Sequence, residues 1–287
     1  MFKGTSASAG IGIGKAVIVE EAELVITRNE VADAEAEIQR FKGALEKTIA
    51  ATQKMADDLA SRVGEKEAEI MQGHMMLLSD PMLTGEIENS VKNDKVNCEF
   101  AIENVCNMYA DMFASMGDEL MQQRATDMRD IKVRMQRTLM GLESVDVSLL
   151  PKGSILVAKD LTPSMTAGIN PENVSGIVTE LGGKTSHSAI LARALEIPAV
   201  VAVNGLMDAV KDGDSVVLDG STGEVFVNPE ASVEKEYEEK RSALDEINEE
   251  IVKARMAVNL CREQKNSIDS MAVLVNERIL DLTRELE

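Results

Sequence analysis

Between Ala34 and Leu142 apolar residues recur every three or four positions, while the segments on either side read as short β-branched strands. Ile38, Phe41, Leu45, Ile49, Met55 and Leu59 mark a first helix, and Ile70, Met71, Leu77 and Leu78 a second that stops before Asp80-Pro81. A third starts at an Asn97 cap and carries Ile102, Val105, Tyr109, Met112 and Met116 on one face before Gly117. The fourth shows Met121, Ala125, Met128, Ile131, Met135, Leu139 and Leu142. Four amphipathic helices with no strand between them predict a four-helix bundle over residues 22–145. Twelve of the 17 methionines lie in this stretch. Most are expected to fill the core, and a Met-rich face also makes a good docking surface.

Outside the bundle, Ile11 to Val19, Ser154 to Ala158, Val174 to Thr179, Ala199 to Val203, Ser215 to Leu218 and Glu224 to Val227 read as strands. Thr162-Pro163 looks like a helix start, and Ser188 to Leu195 a helix that ends before Pro198. Residues 1–21 and 146–230 are therefore expected to form one α/β domain, its opening strand joining the others across the helical insertion. Residues 231–287 differ again. With Leu244 as position a, the a and d sites of a heptad read Leu244, Ile247, Ile251, Ala254, Val258, Cys261, Lys265, Ile268, Ala272, Val275, Ile279, Leu282 and Leu286, apolar at all but Lys265. No Gly or Pro interrupts the chain from Ala231 onward. That repeat predicts one continuous helix, about 64 Å long over the heptads at 1.5 Å per residue, able to pair as a homodimer through 244–286.

Composition narrows the function. A chain of 287 residues, 44% hydrophobic and 28% charged, can bury a sizeable core and is not disordered as a whole. No apolar run approaches the ~20 residues of a membrane span, and a glycine-punctuated amino terminus is no signal core, so the expectation is a cytoplasmic protein. A formal charge of −20 disfavours nucleic acid and anionic lipid and favours a basic partner. The absence of Trp, with only five Phe and two Tyr, removes the platforms that stack bases. Cys98, Cys106 and Cys261 have no CxxC spacing and are expected as three buried thiols. Only His74 and His187 can supply an imidazole, which excludes a histidine-rich metal site; no metal is expected in this chain.

The dense constellation is Gly182-Gly183-Lys184-Thr185-Ser186-His187-Ser188, between a strand and a helix. A phosphate-loop reading needs glycine five residues before Gly183, where Val178 stands, so it fails. What remains is a histidine opening a helix, among three hydroxyls, with glycines that allow close backbone approach. The positive helix terminus favours an anion, and neutral imidazole is a nucleophile, so the anatomy suits a phosphohistidine. The plainer alternative is a histidine that only caps its neighbours.

Residues Thr179 to Val200 (TELGGKTSHSAILARALEIPAV) are very similar to the phosphohistidine segment of enzyme I of the bacterial phosphoenolpyruvate-dependent sugar phosphotransferase system. Pyruvate phosphate dikinase and phosphoenolpyruvate synthase share its shorter core. Ser8 to Lys15 (SAGIGIGK), Gly73 to Asp80 (GHMMLLSD), Asp127 to Asp130 (DMRD) and Asp160 to Ser164 (DLTPS) resemble enzyme I in the same order. The resemblance, over roughly residues 4–235, implies an α/β swivelling phosphohistidine domain with an inserted helical subdomain that binds the small histidine phosphocarrier protein. It implies His187 as phosphoryl acceptor with Thr162 near it in a supporting hydrogen-bond role, beside the hydroxyls of Thr185, Ser186 and Ser188 and the close backbone approach at Gly182 and Gly183 already read from the residues. His74 would lend a hydrogen bond, and Lys184 and Arg193 would neutralise phosphate charge. Full-length enzyme I continues into a (β/α)8 barrel that binds phosphoenolpyruvate and magnesium. Nothing in 236–287 resembles its start, so this chain is expected to exchange phosphate with the carrier only, without a cofactor. The alternative is a regulatory protein whose phosphohistidine domain controls a coiled-coil dimer; a dikinase-like role has less support, since no nucleotide-binding segment is present.

Overall fold

The computed structural model describes residues 1–143 and 145–285, with side chains at all of these except 67, 119, 277 and 279–285. Contacts divide the chain into two compact units, Met1–Glu234 and Lys235–Glu287.

In the first unit an eight-stranded sheet is built from both ends of the sequence. Its strands are β1 (Phe2–Lys3), β2 (Thr5–Ser8), β3 (Ile11–Ile18), β4 (Ser154–Ala158), β5 (Val174–Thr179), β6 (Ala199–Val201), β7 (Ser215–Asp219) and β8 (Glu224–Val227), in the order β1-β8-β7-β3-β4-β5-β6-β2. Strands β3, β4, β5 and β6 run parallel, and β7, β8, β1 and β2 add antiparallel margins. The opening strand does join the later ones: Lys15 to Ile18 of β3 pair with Ser154 to Val157 of β4. Buried Leu156, Ile177, Ala189 and Val201 pack in one apolar cluster, and Ile155, Val178, Val216 and Leu218 in another. Alternate residues of one strand enter different clusters because successive side chains point to opposite faces of a sheet.

The insertion between β3 and β4 holds five helices, not the four expected: α1 (Ala34–Arg62), α2 (Glu65–Leu78), α3 (Pro81–Asp94), α4 (Cys98–Ser115) and α5 (Glu119–Met140). Asp80-Pro81, read as a stop, is also a start. The Asp80 side chain accepts from the Met82 amide and Pro81 occupies the first helical turn, so α3 buries Leu83, Ile87 and Val91 directly after α2 ends. Asn97 precedes α4 as expected, although its side chain makes no cap hydrogen bond there. Ile38, Phe41, Leu78, Ile102, Ile131 and Met135 share the bundle core. Most of the bundle's methionines are not in it. Met71, Met128 and Met135 are buried, whereas Met76, Met82, Met108, Met112, Met116 and Met140 are exposed. Met108, Met112 and Met116 form an i, i+4, i+8 stripe along α4.

Three short helices complete the α/β part: α6 (Pro163–Ala167), α7 (His187–Ala194) and α8 (Leu206–Ala209). A small apolar cluster joins the two parts, Ala56 and Leu59 of α1 and Met71 of α2 packing against Ala167 and Leu191. Beside it the Arg62 guanidinium donates to the carbonyls of Ala167 (2.5 Å) and Ile169 (2.6 Å).

The second unit is the body of one helix, α9 (Ala231–Glu285), whose continuity follows from the lack of Gly and Pro. Its apolar positions Leu244, Ile247, Ile251, Val258, Ile268 and Val275 are exposed, as are Met256, Leu260 and Leu274 outside the a and d sites. Of the expected seam, the side chains of Ile279 and Leu282, and Leu286 altogether, lie outside the described residues. Cys98 and Cys106 are buried, with burial pushing each thiol up to about 12, but Cys261 on α9 is exposed, so the expectation of three buried thiols fails there. No helix among the described residues is long and apolar enough to cross a membrane.

Candidate functional site

His187 is the first residue of α7, following β5 and a turn in which Gly182 takes φ +99°, a conformation that favours glycine. The turn is tied to itself. Ser186 Oγ donates to the Gly183 carbonyl (2.8 Å), pairs with Ser188 Oγ (2.9 Å) and accepts from the Ala189 amide (3.3 Å), which makes Ser186 the N-cap. The amides of His187 and Ser188, at the first two helical positions, have no intrahelical acceptor by construction. Thr185 and Lys184 are exposed. Arg193, one helix length on, donates to the carbonyls of Lys184 (3.1 Å) and Ala7 (2.9 Å), so its guanidinium clamps the turn to β2.

The imidazole of His187 faces the helical insertion. Its side chain is only 11% exposed, and Nε2 lies 3.8 Å from Asp127 Oδ1 on α5. His74 of α2 is fully buried beside it, with Nε2 3.2 Å from the same Asp127 oxygen and Nδ1 3.5 Å from Asp130 Oδ2. These are ion-pair distances out of line for hydrogen bonds: both His74 ring nitrogens and Asp127 Oδ1 are buried with no hydrogen-bond partner. Arg124 Nη1 approaches the other Asp127 oxygen (3.3 Å). Asp130 reaches across to α6, accepting from Ser164 Oγ (2.7 Å) and the Ser164 amide (3.2 Å).

Thr162 stands one step further along this chain of polar groups. Its hydroxyl pairs with Ser164 Oγ (3.1 Å) and accepts from the Met165 amide (3.3 Å), so it caps α6. No hydrogen bond among the described residues joins Thr162 to His187. The structure thus brings His187 and His74 together through Asp127, keeps Ser186 and Ser188 in the turn beside them, and leaves Thr162 joined to them only through Ser164 and Asp130. Asp127, Asp130, Ser164 and Arg124 were not among the expected site residues. Asp127, Asp130 and Ser164 do lie in stretches that resemble the family, and the spacing of Asp127 and Asp130, three apart, puts them on one helix face.

Burial pushes the His187 imidazole below its ordinary value. Asp127 opposes this, His74 adds to it, and Asp130 and Arg124 act weakly in opposite senses. Asp160, before α6, is pushed up by burial, against a hydrogen bond from the Leu161 amide and the attraction of His187. The ring is therefore biased to its neutral, nucleophilic form. No group of three His, Cys, Asp or Glu residues able to hold a metal occurs among the described residues.

Residues 3–124 match the family model "PEP-utilising enzyme, N-terminal" and residues 150–223 the model "PEP-utilising enzyme, mobile domain". A solved structure of Enzyme I (nEIt) superposes with a TM-score of 0.75 at 39% identity, covering 85% of this chain and 100% of that one. The chain belongs to the Enzyme I family. Phosphoenolpyruvate-protein phosphotransferase of Bacillus subtilis (strain 168) is 42% identical over 242 residues, 84% of this chain and 42% of that protein. The Staphylococcus carnosus (strain TM300) protein of the same name is 40% identical over 256 residues, 89% of this chain and 45% of that one. This chain therefore corresponds to the N-terminal region of Enzyme I and spans less than half the length of these curated relatives. His187 falls within the mobile-domain match, whereas His74 and Arg124 fall within the N-terminal one. The similarity also runs past residue 235: the Enterococcus faecalis (strain ATCC 700802 / V583) relative matches 267 of the 287 residues, which leaves at most 20 outside, so part of α9 is shared with the family.

Proposed function

We propose that the chain carries out the phosphoryl-exchange half of an Enzyme I reaction, in which His187 takes a phosphoryl group from, and returns it to, a histidine of the phosphocarrier protein. The observation that carries this reading is the His187 imidazole, biased to neutrality, at the first position of α7 and against the helical insertion. In the transfer a lone pair of the His187 ring forms an N–P bond as the carrier's N–P bond breaks, and that bond's electrons return to the carrier imidazole. Only the phosphoryl group changes hands, so the step is reversible between two bonds of one kind. The protein's contribution is placement and charge: the start of α7 offers the His187 and Ser188 amides, and the turn brings the hydroxyls of Thr185, Ser186 and Ser188 nearby. Lys184 supplies an exposed cation. Arg193 acts by holding the turn, Thr162 by capping α6, and Gly182 and Gly183 by letting the backbone approach.

For the carrier, the exposed methionine stripe of α4 offers an adaptable apolar contact, and the charge of −20 suits a basic face. The seated ring must turn outward to meet a partner histidine. Transfer from phosphoenolpyruvate with magnesium is assigned to the barrel of the whole enzyme, not to these residues. The exposed apolar stripe of α9 favours a second reading, in which two copies pair through 244–286 and the phosphorylation state of His187 controls the pair.

The test is to mix the full chain with phosphorylated carrier and measure acid-labile phosphate on it. Wild type is expected to become labelled and His187→Ala to stay blank; label on His187→Ala overturns the reading. Incubation with phosphoenolpyruvate and magnesium alone is expected to leave the chain unlabelled.

A further inference from the structure

We propose that Asp127 is the resting seat of the unphosphorylated His187 ring, and that it sorts the two chemical states of that ring, accepting a hydrogen bond from the bare imidazole and rejecting the phosphorylated one. The inference deepens the exchange reading above and rests on it. Three observations converge. Asp127 Oδ1 is buried without a hydrogen-bond partner and lies 3.8 Å from His187 Nε2, so a movement of under about 1 Å by the ring completes the bond. A buried acceptor left open is costly, which makes the site receptive to that donor. The carboxylate is also held at its other oxygen, by Arg124 at Oδ2, while His74 Nε2 lies 3.2 Å from Oδ1 out of line for a hydrogen bond. Finally, the α5 face that presents it is fixed in register with the α/β part, because Asp130, one turn on, accepts from both the hydroxyl and the amide of Ser164.

The two ring states meet this seat differently. A neutral imidazole with its proton on Nε2 donates to Asp127. A ring carrying a phosphoryl group brings negative charge towards Asp127 and Asp130, in a pocket where screening is weak. The bare ring is drawn in and the loaded ring is driven out, towards solvent and a partner. Asp127 is in this account a positioning residue: it forms no bond to phosphorus. Because it stabilises one state of the ring over the other, it must also bias the exchange equilibrium towards the unphosphorylated chain.

The experiment uses the full chain and phosphorylated carrier. At equilibrium, Asp127→Asn is expected to retain phosphate about fivefold to tenfold more than wild type, the size of one ordinary hydrogen bond. A merely structural lesion slows the approach to equilibrium without moving it in that direction. An unchanged ratio, or a shift towards the carrier, overturns the proposal. If Asp127→Asn does not fold, nitrogen-15 spectra of the wild-type His187 ring decide: a proton on Nε2 in the resting chain is expected, and a proton on Nδ1 overturns it. Failure of wild type to take phosphate at all defeats the exchange reading instead, and the ring spectra still judge Asp127.

Discussion

The two sides of the His187 seam treat their polar groups in opposite ways. In the α/β part the side chains that shape the turn and α6 are bonded: Ser186 caps α7, Thr162 caps α6, Arg193 makes two hydrogen bonds and Ser164 three. In the helical insertion the opposite holds. The described side-chain atoms that are buried without a partner, on His74, Asp127, Arg134 and Arg137, all belong to α2 and α5. Unsatisfied buried groups lower stability, so the open atoms of His74 and Asp127 beside His187 mark a surface shaped for something other than folding. The turn that carries His187 is built to hold one shape, and the surface facing it is built to hold a ring that comes and goes.

Removal of the ring breaks the comparison most completely. His187→Ala is expected to abolish phosphate exchange while leaving the thermal midpoint within a few degrees of wild type, because the ring gives up no more than its one contact with Asp127. Circular dichroism and the labelling assay read the two quantities separately. A large loss of stability would show that His187 is a structural strut, and the seam would then have no open side.

The next largest effect is expected at His74. Its ring separates two buried carboxylates, Asp127 and Asp130, at 3.2 and 3.5 Å. His74→Leu fills similar space but leaves these carboxylates without the group between them, a loss of about 3 kcal/mol on the scale of a broken buried pair. Urea denaturation followed by circular dichroism measures it. A neutral or stabilising outcome would mean that the cluster carries no charge worth compensating.

Much of the satisfied side was legible in the sequence, because it is local. Thr162-Pro163 announces an N-cap and a first helical residue and folds so, while the helix expected from Ser188 begins one residue earlier, at His187 behind a Ser186 cap. Asp80-Pro81 carried the same signature, but was read only as the end of α2, which is how α3 escaped notice. Strands β1 and β2 escaped because two and four residues are too few to show a period of two, and they are fixed by pairing with β8 and β6, some 200 residues away. The open side was legible only in part. The three-residue spacing of Asp127 and Asp130 places them on one face, but nothing local says that this face meets His187, 60 residues further on. The methionines misled for a related reason: helical periodicity identifies a face, and which face is covered depends on neighbours that the pattern does not name.

The cap of α7 gives a smaller effect that sharpens the comparison. Ser186→Ala removes the acceptor for the Ala189 amide and the donor to the Gly183 carbonyl, and is expected to cost about 1 kcal/mol in urea denaturation. Exchange should slow along with it, since the turn and the start of the helix position the ring. Full stability in this variant would show that the turn holds its shape by Arg193 alone, and the contrast between a rigid and an open side would rest on one residue.

The smallest effect, and the one that weighs burial against the carboxylates, is in pH. Burial pushes His187 below the ordinary imidazole value of about 6.5, while Asp127 pulls it up. The folded chain then binds fewer protons at this site than the unfolded chain just below that value. The stability due to the neutral buried ring is complete above about 6.5 and is lost as pH falls through it towards the folded value. The nucleophile is the neutral ring, so exchange should persist at pH values where a free histidine is already protonated. Titration of the His187 ring signals is expected to give a midpoint below the ordinary value in wild type. In Asp127→Asn the midpoint should be lower again, because the group that favoured the cation is gone. A wild-type midpoint above the ordinary value would mean that the carboxylates outweigh burial. His187 would then rest at Asp127 as a cation held by charge, and would have to lose its proton before it could attack phosphorus.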